Sequence, residues 1–197
     1  MSDDILPGFT RVSAISGAFG GYGNIPKEIL NNAAARGSQV HDIIRDVILN
    51  VPVDGERYIY RGERNTNSLV GYMESFWKFW RPHDDSPAVF PDRMNDFNLM
   101  LTGEVDLITT INDERVLIDW KCTACASPAW DIQGNGYSLL YENSFHQVID
   151  KILFVRLDKD GAEPEVVEIK HDIDLFMTAY EFYHRFFKGQ KCNLECE

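Results

Sequence analysis

The stretch that decides the fold reads NLMLTGEVDLITTI (98–111), NDE (112–114) and RVLIDWKCT (115–123). Its outer segments are rich in β-branched and aliphatic residues, and the polar NDE between them is a hairpin signal. Each segment also carries acids that an apolar strand does not need: Gly103-Glu104-Val105-Asp106 on the first and Asp119-Trp120-Lys121 on the second. Successive strand side chains point to opposite faces. Asp119 and Lys121 therefore share one face, while Ile118, Trp120 and Cys122 take the other, toward core or a packed helix. Pairing of the strands lets Asp106 reach the face of Asp119, so two carboxylates and an ammonium would meet on an otherwise apolar sheet. Hard oxygen donors of this kind suit octahedral Mg2+ or Mn2+, with waters and phosphate oxygens completing the shell and the Trp120 backbone carbonyl as a further candidate ligand. A lysine two residues from the acid can orient a water or stabilise charge developing on a phosphate. The set predicts phosphodiester hydrolysis.

Outward from the hairpin, residues up to about Asn24 are glycine-rich (SGAFGGYGN, 16–24) and read as an irregular N-terminal segment, 1–25. Pro26 opens a helix, IPKEILNNAAA, by the preference of proline for the first turn. Gly37 is expected to interrupt it, and Ser38 to cap a second helix whose Val40, Ile43, Ile44 and Val47 form one apolar face. Residues 55–65 alternate like an exposed strand or hairpin arm, and 67–80 return to helical spacing with Leu69, Tyr72, Met73, Phe76 and Trp80 inward. Beyond the hairpin, 128–143 reads as a helix. DKILFVRL and EPEVVEIK are two strands around the turn DKDG, and IDLFMTAYEFYHRFFKG is the last helix, opening a C-terminal stretch of 172–197. In that helix Phe182, Tyr183, Phe186 and Phe187 read as core aromatics, with Arg185, Lys188 and Lys191 outward. Helices on either side of a strand meander give an α/β sandwich with a mixed sheet in one domain, 1–197. The nucleotide-binding loops G-x-G-x-x-G and G-x-x-x-x-G-K-S/T are missing from the sequence.

Composition agrees. The chain has 197 residues, 44% of them apolar and 12% aromatic, enough for a real core and too few charges for a disordered tail. The net charge of −12 argues against a partner held by bulk positive charge, although a local groove or bound cations can reverse the sign where it matters. An acidic N-terminus without an apolar run, and no run of ~18 apolar residues anywhere, point to an intracellular, non-membrane protein. Four cysteines, Cys122, Cys125, Cys192 and Cys196, are too few for a disulfide scaffold and suit a reducing compartment.

The D-W-K triplet, preceded by G-E-V-D across a short hairpin, resembles the core of the PD-(D/E)XK nucleases, with Asp in the acidic slot. R-G-S-Q-V-H at Arg36–His41 resembles the R-G-(S/T)-x-x-H helix of the RecB-like and phage exonuclease branch. Q-G-N-G-Y at Gln133–Tyr137 is similar to its Q-x-x-x-Y helix. These pieces occur in the family's order from about Pro26 to about Val155, and four in order are far more specific than a lone D-x-K.

The resemblance implies a restriction-endonuclease-like sandwich: a central mixed β-sheet with a catalytic β-hairpin, flanked by helices. It implies Asp106 and Asp119 as metal ligands, Lys121 as the catalytic lysine and His41 as an extra ligand or near neighbour. Gln133 and Tyr137 become supports that touch Lys121 or the substrate backbone. The first acid of the motif has three candidates, Glu74, Asp92 and Glu104. The implied activity is a Mg2+- or Mn2+-dependent DNA exonuclease of phage or bacterial recombination and repair, acting in the bacterial cytoplasm. Enclosure of DNA by a homo-oligomer, and a single-strand-annealing or other recombination protein as partner, belong to the same expectation. A structure-specific or nicking endonuclease on the same residues is the alternative. An acidic phage protein that mimics DNA to bind a host enzyme is a rival of another class, but it has no use for Lys121 between two acids.

For the substrate, Arg36 and Ser38 at a helix start suit a phosphate. Arg57 and Arg61, interleaved with Tyr58 and Tyr60 and followed by Arg64, can hold phosphates beside stacked bases, or simply decorate an exposed hairpin. Cys122-Thr-Ala-Cys125 with Cys192-x-x-x-Cys196 invites a zinc or iron–sulfur reading. The order departs from the one-plus-three pattern of cluster-bearing RecB-related nucleases, so free, partly buried thiols are expected.

Overall fold

The computed structural model describes residues 5–21, 23, 25–62 and 65–188. Its centre is strand β8 (Glu114–Lys121), in which every residue from Val116 to Trp120 is buried. A strand buried on both faces needs covering layers on both sides, and these are present. Val116, Ile118 and Trp120 point to one side, into a core with Val40, Ile43 and Ile44 of helix α2 (Lys27–Ile48) and Tyr72, Met73 and Phe76 of helix α3 (Val70–Trp80). Leu117 points to the other, into a core with Val12 and Ile15 of α1 (Val12–Ala18), Leu140 of α4 (Ala129–Phe145) and Phe176 of α5 (Ile173–Phe186). The molecule is a mixed α/β structure with helices flanking mixed sheets.

The main sheet has the order β10-β9-β8-β7-β4, with β4 (Ala88–Val89), β7 (Leu107–Ile111), β9 (Lys151–Arg156) and β10 (Glu165–Ile169). Among the described residues of this sheet only β8 and β9 pair in parallel, and α4 lies between them in sequence. The expected hairpin is β7–β8. Asn112 and Asp113 both take positive φ (53° and 63°), the two-residue turn whose twist matches the flanking strands, so Glu114 already belongs to β8.

The segment 98–111 differs from the single strand expected. It divides into β6 (Leu101–Gly103) and β7, with Glu104, Val105 and Asp106 between them. β6 joins a second sheet, β1-β6-β5, with β1 (Thr10–Arg11) and β5 (Met94–Asp96). Strand pairing is thus exchanged from one sheet to the other at Asp106, and the acid is freed from the ladder. Gly103, at the end of β6, lies so close to Tyr137 that a Cβ there would stand 2.9 Å from the ring.

Four other expectations are corrected. The N-terminal segment is not wholly irregular: β1 and α1 fill residues 10–18, with Val12 and Ile15 completely buried, because two apolar residues three apart suffice to anchor a two-turn helix among glycines. Gly37 does not interrupt α2, and Ser38 is no cap. A glycine costs a helix only about 1 kcal/mol, less than the anchoring supplied by Val40, Ile43 and Ile44. The helix expected over 67–80 begins at Val70, because β3 (Thr66–Ser68) pairs with β2 (Ile59–Arg61) as a separate hairpin. Finally, Phe182, Phe186 and Phe187 are 46%, 43% and 42% exposed. α5 buries Phe176 and Ala179 in its first half, while these later rings meet mainly one another and Phe19. Cys192, Cys196, Arg64 and Lys191 lie outside the described residues. Among the described residues no helix is long and apolar enough to cross a membrane.

Candidate active site

The site forms where β7 and β8 separate. The ladder's last pair on that side is Leu107 with Ile118, so Asp106 and Asp119 are the next residues on each strand. Asp119 shares the face of Leu117 and is almost enclosed, its side chain 5% exposed. Its Oδ2 lies 2.6 Å from the Lys121 Nζ. Lys121 donates to Gln133 Oε1 at 2.9 Å, and Gln133 Nε2 donates to the Tyr137 hydroxyl at 3.1 Å. Gln133 and Tyr137 are four apart on α4 and so occupy one stripe of the helix, facing the sheet. The lysine's ammonium also sits 4.8 Å from the centre of the Phe154 ring on β9. Acid, lysine, amide and phenol thus form one continuous chain.

Asp106 closes the arrangement from the other strand. Its Oδ2 accepts the Trp120 backbone N–H at 2.9 Å, which ties the loop after β6 to the end of β8. Its Oδ1 meets His41 Nδ1 at 3.1 Å, which brings α2 to the site. The Cys122 thiol is close enough to the His41 ring to act on its charge.

The charges here are strongly coupled. Burial pushes the Asp119 carboxyl up; Lys121 pulls it back, Asp106 pushes it up again, and the outcome is about 6. Burial would raise Asp106 as well, but His41, Lys121 and the Trp120 amide outweigh it and hold Asp106 below the ordinary carboxylate value. Burial favours neutral His41, yet Asp106 and then Cys122 raise its pKa well above the ordinary 6.5. Burial, reinforced by the nearby Asp119 carboxylate, keeps the Tyr137 phenol protonated. The site therefore has one acid held firmly ionised, Asp106, and one whose titration burial lifts to about 6, Asp119.

Among the described residues no group of three or more His, Cys, Asp or Glu side chains stands at metal-holding spacing. His41, expected as an extra ligand or near neighbour, stands beside the site with its Nδ1 on the Asp106 carboxylate. Trp120, expected to offer its carbonyl as a further ligand, also donates its N–H to Asp106. The donor set still fits Mg2+ or Mn2+, which keep several waters and need only one or two carboxylates from a protein. Two adjacent carboxylates, one of them raised by burial and by the other's charge, form a site whose repulsion a divalent cation would relieve.

Beside the site opens a cavity of about 900 Å3, lined among others by Ser38, His41, Arg45, Asp92, Arg93 and Asp106. Arg45 packs over the Phe90 ring at 5.2 Å, and Arg93 pairs with Glu104 at 2.7 Å. Glu104 is therefore an ion-pair partner. Glu74 is on the outer side of α3, against the β9–β10 loop at Gly161, whereas Asp92 lines the cavity.

The other expected substrate contacts are placed differently. Arg36 lies mid-helix, with its charge acting on the Tyr72 hydroxyl, so no free helix N-terminus assists it. Arg57 pairs with Asp46, and Arg61 with Glu56 at 2.7 Å, so intramolecular acids offset both charges. Sequence reasoning missed Phe154, Gly103 and the Trp120 amide. The first two read as ordinary strand residues, and the third is a backbone group.

No protein-family model matches the chain, and no curated protein matches it. Among solved structures, the crystal structure of SSO0001 is similar over 94% of this chain and 78% of that one, at 11% identity and a TM-score of 0.42.

Proposed function

We propose that this protein is a divalent-metal-dependent deoxyribonuclease with a restriction-endonuclease-like fold, hydrolysing phosphodiester bonds from strand ends. The observation that carries the reading is the convergence of Asp106, Asp119 and Lys121 at the end of one hairpin, with Lys121 held by Gln133 and Gln133 by Tyr137. A structural ion pair needs neither the second carboxylate nor the amide–phenol relay.

Asp106 and Asp119 would hold Mg2+ or Mn2+, which when bound supplies Lewis-acid polarisation of the phosphate and a more acidic water. Lys121, steadied on Gln133 Oε1, orients the attacking water and faces the charge that develops on the phosphate. Tyr137, a protonated phenol whose oxygen accepts from Gln133, keeps its own O–H to donate. His41 holds Asp106 ionised and oriented.

The chain's net charge of −12 weakens nonspecific affinity for DNA, so sustained degradation would need enclosure of the strand by an oligomer. The test is a time course on end-labelled linear duplex with Mg2+, Mn2+ or chelator, beside covalently closed circular DNA. Metal-dependent shortening of the linear substrate alone is expected. Cleavage of the circle would move the reading to a nicking endonuclease. No cleavage with either ion, or full cleavage by a folded Lys121→Ala protein, would overturn it.

A further inference from the structure

Directly after Lys121 the chain runs Cys122-Thr123-Ala124-Cys125, a pair of free thiols with two residues between them that the proposed hydrolysis does not use. Both lie in the irregular segment between β8 and α4. The segment is pinned at several points. Leu157 N–H donates to the Lys121 carbonyl at 2.8 Å, Arg156 Nη1 donates to the Ala124 carbonyl at 3.2 Å, and Thr123 Oγ1 donates to the Cys125 carbonyl at 3.0 Å. The two thiols have unlike surroundings. Cys122 is half-buried, packed on the core near the His41 ring; Cys125 is exposed.

We infer that Cys122 and Cys125 are a reversible modification site, a dithiol that closes to an intramolecular disulfide and thereby disables the neighbouring Asp106–His41 and Asp119–Lys121 arrangement. The inference rests on the proposed active site for its consequence, but not for the chemistry of the pair. Two residues between cysteines leave a short ring that a bend can close. A disulfide brings Cβ atoms to about 3.5–4.5 Å, so its closure constrains Cys122, which follows Lys121 directly and packs on the core, together with exposed Cys125. A change at Cys122 is passed to Lys121 through the one peptide bond between them. In the closing step each thiol loses a proton and the pair gives up two electrons; an S–S bond forms, and a two-electron thiol oxidant takes up both electrons and both protons. With diamide as oxidant, its N=N bond becomes a hydrazine.

Full-length wild-type and Cys125→Ser proteins would be treated with diamide and mapped by peptide mass. Metal-dependent cleavage and the His41 ring resonances would be followed before and after dithiothreitol. Expected are loss of two hydrogens from the peptide holding Cys122 and Cys125, displaced His41 resonances, and about a hundredfold loss of cleavage, the scale of a catalytic group misplaced by roughly an ångström. Dithiothreitol should reverse all three, and Cys125→Ser should resist. Absence of the bridge, a bridge that leaves the His41 resonances in place, or equal inactivation of Cys125→Ser would overturn the inference. A bridge that moves the His41 resonances in a protein without nuclease activity would sustain the modification site and its coupling to His41 while removing the hydrolytic reading.

Discussion

Replacing Asp119 by Asn should make the metal-free protein more stable at neutral pH while abolishing its proposed activity. The side chain is 5% exposed and its carboxyl titrates at about 6 in the fold, against an ordinary 3.8. Burial is the largest cause, with Asp106 adding to it and Lys121 opposing. A raised carboxyl pKa means that the folded state binds this proton more tightly than the unfolded chain does. Wild-type stability should therefore fall as pH rises from about 4 to about 6 and then level off. At ~1.36 kcal/mol per pKa unit the fall attributable to Asp119 is about 3 kcal/mol. Asn resembles the protonated acid in shape and neutrality, so Asp119→Asn should escape the fall. Urea unfolding in the presence of chelator, at intervals from pH 4 to pH 8, measures it. The two proteins should be nearly equal at pH 4, with the variant ahead by up to about 3 kcal/mol at pH 8. The other titrating groups act in different windows. Asp106, with its lowered pKa, contributes stability that is lost below the ordinary carboxylate range. His41, with its raised pKa, contributes stability that is complete below about 6.5 and lost as pH rises through its folded value. Parallel wild-type and variant curves between pH 4 and pH 7 would refute the reasoning. So would a variant less stable than wild type at pH 8.

Other consequences concern individual contacts. His41→Ala should lower Mn2+ affinity about 10–100-fold by calorimetric titration, because the imidazole orients the Asp106 carboxylate from behind; unchanged affinity would remove that role. Gly103→Ala should cost about 1–3 kcal/mol in urea and reduce cleavage, since a methyl group 2.9 Å from the Tyr137 ring must displace it. Gly37→Ala should stabilise the protein by about 0.5–1 kcal/mol, because Gly37 is inside α2 with nothing within 4 Å of a Cβ there; a loss of stability would mean that the helix is broken at that point.

Much of this architecture was legible in the chain. The period-two alternation that placed Asp119 with Lys121 and opposite Ile118 and Trp120 is the one observed, and all five residues assigned inward over 67–80 are buried. Gln133 and Tyr137 join Lys121 because a helix puts residues four apart on one stripe. What failed was local punctuation. Gly37 read as a break, yet its helical cost is small beside the apolar contacts formed by the turns after it. Residues 98–111 read as one strand because alternation cannot reveal a change of pairing partner. Arg57 and Arg61 read as open to phosphate because Asp46 and Glu56, which neutralise them, have no recognisable pairing in sequence.

By itself the amino-acid order determined the hairpin, the sidedness of β8, the covering helices and the identity of the residues able to do chemistry. These follow from short-range rules: side-chain period, turn preference and the exclusion of charge from apolar strands. Only the tertiary structure decided how those residues are disposed. It exchanged strand pairing beside Asp106, set His41 against that acid and gave the two carboxylates opposite electrostatic characters. Distances between elements far apart in the chain, and the water removed between them, govern these features, and neither is written in any local pattern.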